Sequence, residues 1–323
     1  MSVLIRVEDE PPSTRLDFFR HVVADSIVPF GVRIDADRDL RAKILTGPVG
    51  MVHVTRVSSP PMTAFRTPRL IRVSDPELFK IDVQVSGRTV FAQGGREAEL
   101  SPGDLTLLDL SRPSRLADRD NRHEVVAVKF PHEVLPLSHS ELERLTAVPI
   151  SGRGGLGAPI SSLARHMARS LEGHDASDGA RLATALMDLL IVALAERLDR
   201  VAAVAPDTRR RALLASVQSF IDQRLDDPEL SPSVIAAAHH ISLRYLYKLF
   251  ETQEATVAGR IRQRRLERCR RDLLDPALAD WSASAIATRW GLPNAAHFSR
   301  VFRAAYGLPP AEYRLSKRTS NPR

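Results

Sequence analysis

The chain has 323 residues, which is enough for two or three domains, and its 43% apolar and 26% charged residues are typical of a globular protein. The formal net charge is +7, and the lone cysteine, Cys269, excludes an internal disulfide. No secretion signal is expected, because charged residues follow closely on the apolar start. The most apolar stretch, residues 185–195, falls short of the roughly 20 residues that a membrane span needs. We therefore expect a cytoplasmic protein without membrane contact.

The positive charge is distributed unevenly along the chain. From Arg209 to the end there are 20 Lys and Arg against 11 Asp and Glu, whereas the first 208 residues hold 26 against 28. All of the basic excess therefore lies in the last third. Such an asymmetry is typical of a polyanion-binding module joined to a nearly neutral one.

The first part of the chain, over about residues 30–130, is predicted to be β-rich. Short segments rich in β-branched residues alternate with Gly, Pro and Asp, and they are predicted as strands at 51–59, 79–87, 88–95, 105–110 and 124–130. The segment LSPGDLTLLDL (100–110) places a Pro-Gly-Asp turn before a strand. The pattern favours a small antiparallel barrel with a filled or ligand-holding interior.

A barrel of this kind raises the possibility of a metalloenzyme, but the sequence offers no ligand set. Such a site needs two or three histidines and a carboxylate, and His53 stands alone with no further histidine before residue 123. His123, His132 and His139 are predicted to lie at the surface or at strand edges. We find no motif for nucleophilic catalysis and no phosphate-binding loop. We expect no catalytic residue, no metal and no cofactor.

The hydrophobic period changes to that of a helix from about residue 138. Helices are predicted at 160–171 and 180–198, and the second is apolar on more than one face. A helix of this kind is buried either against its own barrel or against a partner chain, and both alternatives stay open. Residues 201–211 are predicted to be a linker, with Pro206 ending the helix.

An internal echo marks the last third of the chain. SPSVIAAAHHISLRYLYKLFE (231–251) and SASAIATRWGLPNAAHFSRVFRA (282–304) align at an offset of 51 to 52 residues, so that Ile-Ala pairs with Ile-Ala and Phe with Phe. Each copy predicts a helix, a tight turn and a second helix, which is the layout of a helix-turn-helix motif. Gly291 supplies the turn in one copy. His240 occupies it in the other, where a positive φ is tolerable for histidine.

The second helix of each copy has two opposed faces. We expect Leu243, Leu246, Leu249 and Phe250 to point inward in the first copy, and Phe298, Phe302 and Ala305 in the second. The opposite faces lack carboxylates and carry groups that bind base edges or phosphates. The candidate DNA-binding residues are Arg244, Tyr247, Lys248, Ala296, Ser299, Arg300 and Arg303.

A long helix over residues 256–275 separates the two copies and would hold them at a fixed spacing. Its inner face is predicted as Val257, Ile261, Leu266, Cys269 and Leu273. Four of its arginines are expected to contact phosphate or solvent: Arg262, Arg264, Arg268 and Arg271.

Residues 212–315 resemble the DNA-binding domain of the AraC/XylS family of bacterial transcription regulators. The matching motifs are ISLRYLYKLFE, IRQRRLERCRRDLL and AIATRWGLPNAAHFSRVFRAAYGLPPAEYR. Position 254 is Glu where the family pattern has Gly. The first two-thirds of the chain are more loosely similar to the family's effector and dimerisation domain. The resemblance implies a homodimeric regulator, most often an activator, that binds double-stranded DNA and a small-molecule effector and meets RNA polymerase.

Together these features predict an α+β protein. Residues 1–200 would form a cupin-like antiparallel β-barrel with dimerisation helices, 201–211 a linker, and 212–318 an all-α domain with two helix-turn-helix motifs. The alternative is an enzyme or sensor barrel of cupin type with an accessory nucleic-acid-binding tail. The residues that would bind the effector are not identifiable from the sequence.

Overall fold

The computed structural model describes residues 2–34, 40–172, 178–199, 204–251, 253 and 255–319, with side chains up to residue 316. The chain divides into two compact units, residues 1–215 and 216–323. Glu254 and residues 173–177, between the two predicted helices, lie outside the described residues.

The first unit is built from two antiparallel sheets. The six-stranded sheet contains, in spatial order, β1 (Val3–Arg6), β3 (Lys43–Val49), β4 (Val52–Ser59), β11 (His123–Pro131), β6 (Leu78–Ser86) and β9 (Leu105–Asp109). The five-stranded sheet contains β2 (Gly31–Ile34), β5 (Met62–Arg66), β10 (Ser114–Asp118), β7 (Thr89–Gln93) and β8 (Arg96–Leu100). The predicted strands are confirmed within two residues at each end.

The sheets pack face to face, because side chains from both form one apolar cluster that includes Ile44 and Val57 from one sheet and Val32 and Met62 from the other. In the described part of the chain no strand pairs from one sheet to the other. The predicted antiparallel β architecture is therefore confirmed, but the expected barrel is not closed. Closure depends on hydrogen bonds between strands far apart in sequence, which a local alternation of residues does not specify.

Helices accompany both sheets of the first unit. They are α1 (Arg15–Ser26), α2 (Pro68–Val73), α3 (His139–Glu143), α4 (Gly157–Ser170) and α5 (Gly179–Arg197). The outer face of the six-stranded sheet, with Phe79, Ile81 and Val83 of β6, packs in one cluster with α4 and α5. The alternation along β6 therefore sends Lys80 and Asp82 to the opposite face, between the two sheets.

Helix α5 is largely buried within its own chain. Leu186, Leu189, Leu190 and Leu194 are all almost inaccessible and belong to the same core as the sheet. Of the two alternatives left open by the sequence, packing in the chain's own core accounts for this all-round apolar character. The apolar stripe needs no partner chain to cover it.

The predicted linker differs from the structure. Helix α6 (Pro206–Gln223) begins within it, and the division between the two units falls inside this helix, between Ala215 and Ser216. Pro206 begins the helix instead of ending one, because proline is well tolerated in the first turn, where its missing N–H has no helical partner. Residues 201–203 lie outside the described residues.

The second unit is helical. It continues with α7 (Pro232–Ala238), α8 (Leu243–Phe250), α9 (Val257–Leu274), α10 (Ala283–Arg289), α11 (Ala295–Tyr306) and α12 (Pro310–Thr319). The pairs α7–α8 and α10–α11 are the two predicted helix-turn-helix copies. The predicted long helix between them is confirmed as α9.

Candidate nucleic-acid interface

The two helix-turn-helix turns share one backbone conformation. His240 has a φ of 53° and Gly291 a φ of 66°, and the two residues are separated by the 51-residue offset of the sequence repeat. Both lie in the left-handed region, as the sequence predicted. Glycine adopts it without steric cost, whereas histidine is among the few other residues that enter it with appreciable frequency.

The same hydrogen bond closes each turn. The amide of Ile241 donates to the carbonyl of Ala236 at 3.0 Å, and the amide of Leu292 donates to the carbonyl of Ala287 at 2.9 Å. These bonds satisfy carbonyls at the end of the first helix that lack a helical partner, and they fix the direction in which the chain leaves it. The repeat seen in the sequence therefore extends to the backbone geometry.

Each helix of the two copies begins at a side-chain cap. Ser231 and Ser282 accept the amide three residues later at 3.5 and 3.1 Å, and they start α7 and α10. Ser242 and Asn294 do the same for α8 and α11 at 3.1 and 2.9 Å. Such a cap contributes about 1 kcal/mol to the stability of a helix. The caps fix where each second helix starts and hence which side chains form its outer face.

Three side chains anchor α8: Leu246, Leu249 and Phe250 are buried. Leu243 was also predicted to point inward, but it is 41% exposed. It is the first residue of the helix and precedes the first turn that packs against the core. The buried stripe of α8 therefore covers its second half.

Aromatic packing anchors α11. Phe298 and Phe302 are fully buried, with ring centroids 5.4 Å apart, and Phe302 also meets Tyr313 of α12 edge-on at 5.5 Å. Pairs of this geometry add about 1 kcal/mol beyond the area that they bury. Ala305, which was predicted to point inward, is exposed. The half-buried Val301 completes the inner face instead.

The outer face of α8 presents the three residues predicted for it. Arg244, Tyr247 and Lys248 are exposed, with Tyr247 52% accessible. Tyr245 is exposed as well and was not singled out from the sequence. Helical spacing gave no signal for it, because Tyr245 lies four residues before the buried Leu249 and shares its face.

The outer face of α11 carries the other four predicted residues. Ala296, Arg300 and Arg303 are exposed and Ser299 is half-buried. The Nη2 of Arg300 lies 3.2 Å from Nδ1 of His297, one turn earlier on the helix. The sequence interpretation did not single out His297, although its spacing of three residues from Arg300 is that of neighbours on a helix surface.

Helix α9 supports both motifs through a buried arginine that the sequence interpretation missed. The Arg265 guanidinium donates to the backbone carbonyls of Leu225 at 3.0 Å, Asp227 at 2.5 Å and Gly291 at 2.9 Å. It therefore ties the turn of the second motif to the segment before α7. The signal was available, since Arg265 lies four residues from both Ile261 and Cys269 on the inner face of the helix.

Arg264 does not face solvent as a free cation. Its guanidinium donates to both carboxylate oxygens of Asp222 at 2.8 and 2.6 Å and to Glu267 at 3.1 Å. This bidentate pair joins α9 to α6. The suggested phosphate contact therefore does not fit Arg264, whose donors are already directed to carboxylates.

Two neighbouring arginines of α9 also have partners. The Arg268 guanidinium lies over the Trp290 ring at 5.5 Å, and Arg271 is 3.6 Å from the Asp272 carboxylate. Asp272 is buried and accepts a hydrogen bond from the Trp290 indole at 2.8 Å. Arg262 is exposed, and it is the member of the predicted set that best suits a phosphate contact.

Burial changes the pKa of two side chains on the inner face of α9. It lowers the pKa of the Arg265 guanidinium from its ordinary value, and it raises the pKa of the Cys269 thiol to about 12. The thiol is therefore protonated near neutral pH and does not act as a nucleophile. Cys269 has the role of a small apolar residue in the core of the second unit.

The described residues contain no helix long and apolar enough to cross a membrane. Among them, no three His, Cys, Asp or Glu side chains come together in a group that could hold a metal ion. The predicted surface position of His123 is wrong: the residue is 2% exposed, and its Nδ1 lies 2.8 Å from Oδ1 of Asp118 in the other sheet.

Two helix-turn-helix motifs in tandem, each with a basic outer face on its second helix, define a DNA-binding protein of the helix-turn-helix class. Residues 19–195 match the family model of an AraC-binding-like domain, and residues 235–316 match that of a helix-turn-helix domain. The chain belongs to the AraC/XylS family of transcription regulators.

Similar proteins include two transcriptional activators. The transcriptional activator NphR of Rhodococcus sp is 33% identical over 271 residues, which cover 83% of this chain and 78% of that protein. The XylDLEGF operon transcriptional activator 1 of Pseudomonas putida is 25% identical over 75% of this chain and 77% of its own length. The crystal structure of the AraC-like transcriptional activator CuxR matches the fold with a TM-score of 0.51, 22% identity and coverage of 91% of this chain and all of that one.

Proposed function

We propose that this protein activates transcription by binding double-stranded DNA through α8 and α11, under the control of a small molecule held by the first unit. The names of the relatives support activation, since NphR and the XylDLEGF regulator are both described as transcriptional activators. Activation implies contact with RNA polymerase. We also propose that the protein works in the cytoplasm, where the chromosome lies. Its activity would be regulation of transcription, without an enzymatic reaction.

The observation that carries the proposal is the pair of basic faces on two helices, each preceded by a turn of the same left-handed backbone conformation. Arg244, Arg300 and Arg303 each present a guanidinium fork that matches O6 and N7 of guanine. Lys248 is a less directional charge suited to phosphate. Neither α8 nor α11 contains an aspartate or a glutamate, which phosphate would repel.

The remaining candidates suit the same surface by their chemistry. Ser299 and Tyr247 carry hydroxyl groups that bind phosphate or base edges, and the small side chain of Ala296 fits against a thymine methyl. We assign all seven residues to the interface and give the base-reading part to the arginines.

We also propose that the protein acts as a homodimer, as the family resemblance implies. The apolar stripe of α5 is covered within the chain, so the dimer would form through another surface. Sedimentation of the full-length protein at micromolar concentration tests this, and a monomer there would contradict it.

The test of DNA reading compares three arginine variants. An operator is first selected from random DNA with the full-length protein, and the affinities of Arg300→Ala, Arg262→Ala and Arg181→Ala are then measured by fluorescence anisotropy. Arg181 is an exposed residue of α5 in the first unit, so its variant removes the same charge away from the proposed interface.

We expect Arg300→Ala to lose about 1–3 kcal/mol on the selected site and to relax one base position. Arg262→Ala is expected to weaken all sequences about equally, and Arg181→Ala to change nothing. Equal, sequence-independent losses from Arg300→Ala and Arg262→Ala would refute the base-reading role of Arg300.

A further inference from the structure

Exposed apolar side chains are concentrated on α8, the second helix of the first motif. Leu243 is 41% exposed, Tyr245 40% and Tyr247 52%, so three of the eight residues of this helix present a large apolar or aromatic group. In α11, all of whose residues are described, no large apolar side chain is exposed to this extent. Single exposed apolar residues are common on protein surfaces, but several on one short helix indicate a surface that meets another molecule.

Two of these residues, Leu243 and Tyr247, form what we call the apolar flank of α8. They are four residues apart, a spacing that places two Cβ atoms about 5–6 Å from each other on a helix. Arg244 and Lys248 have the same spacing and form the adjacent, basic row of the outer face. Tyr245 lies on the other side of that row and is not part of the flank.

The apolar flank lies at the end of α8 that is suited to meeting base edges. In a helix-turn-helix motif, residues near the N-terminus of the second helix contact the bases. Leu243 is the first residue of α8, directly after the Ser242 cap. The flank is also continuous with the basic row that we assign to DNA, so its partner should be a group in the major groove.

The major groove offers one apolar group to such a flank. Every base pair presents hydrogen-bond donors and acceptors there, but only thymine adds a methyl group, at C5. The Leu243 side chain has no hydrogen-bonding atom, so it gains from contact with this methyl group and loses by covering a polar base edge. The ring of Tyr247 adds a second apolar surface, and its hydroxyl group can still bind phosphate.

We propose that the apolar flank of α8 reads thymine, with Leu243 and the Tyr247 ring packed against the C5 methyl group of at least one thymine of the operator. The inference rests on the proposed function, because it names what one of the two recognition helices selects. Leu243 is thus a specificity-determining residue that the sequence interpretation placed in the core. Contact with one methyl group corresponds to a difference of about fourfold in affinity.

The experiment replaces thymine by deoxyuridine, which removes the C5 methyl group and leaves the hydrogen bonds of the base pair unchanged. An operator is selected from random DNA with the full-length protein, and each of its thymines is replaced singly. The affinity for each operator is measured by fluorescence anisotropy. We expect at least one replacement to weaken binding of the wild-type protein about fourfold.

Four variants assign this loss to the apolar flank. In Leu243→Ala the operators with and without the methyl group should bind almost equally, and in Tyr247→Ala their difference should shrink. Tyr247→Phe keeps the ring and should retain the difference. Leu274→Ala is the matched control, because Leu274 is 40% exposed and ends α9, outside both recognition helices. Its affinities should be those of the wild-type protein.

A purely structural role of Leu243 gives a different result. If this side chain only stabilises α8 by packing on Tyr247, Leu243→Ala weakens binding to all operators by the same factor. The loss caused by removing the methyl group then persists in the variant, and the proposal is wrong.

The proposal is also wrong if no thymine replacement weakens binding of the wild-type protein. If Leu243→Ala and Tyr247→Ala bind every operator as the wild-type protein does, the apolar flank meets another protein and not DNA. In each of these outcomes an operator is still selected, so the proposed DNA-binding function stands. If no operator is selected, the proposed function itself fails and this inference fails with it. If circular dichroism shows that Leu243→Ala does not fold, Tyr247→Ala decides by the same comparison.

Discussion

At Gly291, two separate constraints exclude a side chain. Its φ of 66° lies in the left-handed region, and a Cβ built there would be 2.7 Å from Cζ of Arg265. Arg265 cannot move away easily, because its guanidinium is held by three backbone carbonyls, one of them that of Gly291 itself. The turn of the second motif and its support in α9 therefore depend on each other.

We predict that Gly291→Ala destabilises the second unit more than Gly307→Ala does. Gly307 has a φ of 83°, but a Cβ there meets nothing within 4 Å, so its variant carries only the cost of the left-handed backbone, about 1–2 kcal/mol. Gly291→Ala adds the displacement of Arg265, for a total of about 3–4 kcal/mol.

Urea unfolding followed by tryptophan fluorescence measures this difference. The chain has two tryptophans, Trp281 and Trp290, and both lie in the second unit. Equal losses of unfolding free energy for the two glycine variants would show that Arg265 exerts no constraint at the turn.

His53 gives the first unit a dependence on pH. Burial and the nearby Lys129 ammonium lower the pKa of His53 from its ordinary value of 6.5 to about 4. The unfolded chain therefore binds the proton more readily than the folded one. The contribution of neutral His53 to the free energy of unfolding is therefore fully present above pH 6.5, and it is lost as the pH falls toward 4.

We predict a loss of about 1 kcal/mol in the unfolding free energy of the first unit between pH 7 and pH 5, since solvent screening reduces the effect at a half-buried group. His53→Gln does not ionise and keeps a hydrogen-bonding group next to Thr46, so its stability should vary less over this range. The midpoint of thermal unfolding, followed by circular dichroism of the sheets, gives the comparison. An identical pH dependence in the variant would assign the effect to other groups.

At the scale of elements, five of the eleven strands among the described residues and the paired motifs could be predicted from the sequence. The alternation along β4, β6 and β11 and the echo of α7–α8 in α10–α11 are local signals, and the structure confirms them. Helix α1 and strands β1, β2, β3, β5, β8 and β10 were not predicted. Most of these strands span only four or five residues, which carry a weak periodicity, and Gly47 and Pro48 interrupt the β pattern of β3.

The candidate site could be predicted only where a local pattern indicates it. The outer residues of α8 and α11 follow from helical periodicity, and the structure places Arg244, Tyr247, Lys248, Ala296, Arg300 and Arg303 in exposed positions. The contacts of Arg265 with Leu225, Asp227 and Gly291 join segments 26 or more residues apart. No local pattern indicates such contacts.

Helix α5 provides the prediction at this scale. Leu190 is fully buried between the sheet and the other helices, so Leu190→Asp places an unpaired carboxylate in the core. We expect the first unit to unfold, because the cost of burying an unpaired charge exceeds the free energy of unfolding of a domain. Thr184→Asp, at an exposed position of the same helix, should leave the fold intact.

Circular dichroism and sedimentation of both variants distinguish the alternatives for α5. If the Leu190→Asp protein keeps its sheets and changes only from dimer to monomer, α5 forms the subunit interface and the assignment to the core is wrong.

For the whole molecule, the positive charge is concentrated in the part of the chain that carries the two helix-turn-helix motifs. The surplus of nine positive charges after residue 208 contrasts with a deficit of two before it. Part of that surplus is structural, since Arg264 and Arg265 are engaged within the second unit. The exposed remainder includes the outer faces of α8 and α11, which follow turns of the same backbone conformation. A chain with two such helices on one DNA face would reach successive major grooves, roughly 34 Å apart.

Hydroxyl-radical footprinting of the full-length protein on its selected operator tests this account most directly. We expect each bound chain to protect two patches about 10 base pairs apart. Arg244→Ala should weaken one patch and Arg300→Ala the other, with the second patch of each variant retained. A single patch per chain, weakened by Arg300→Ala and unaffected by Arg244→Ala, would contradict the account, because one of the two motifs would then have only a structural role.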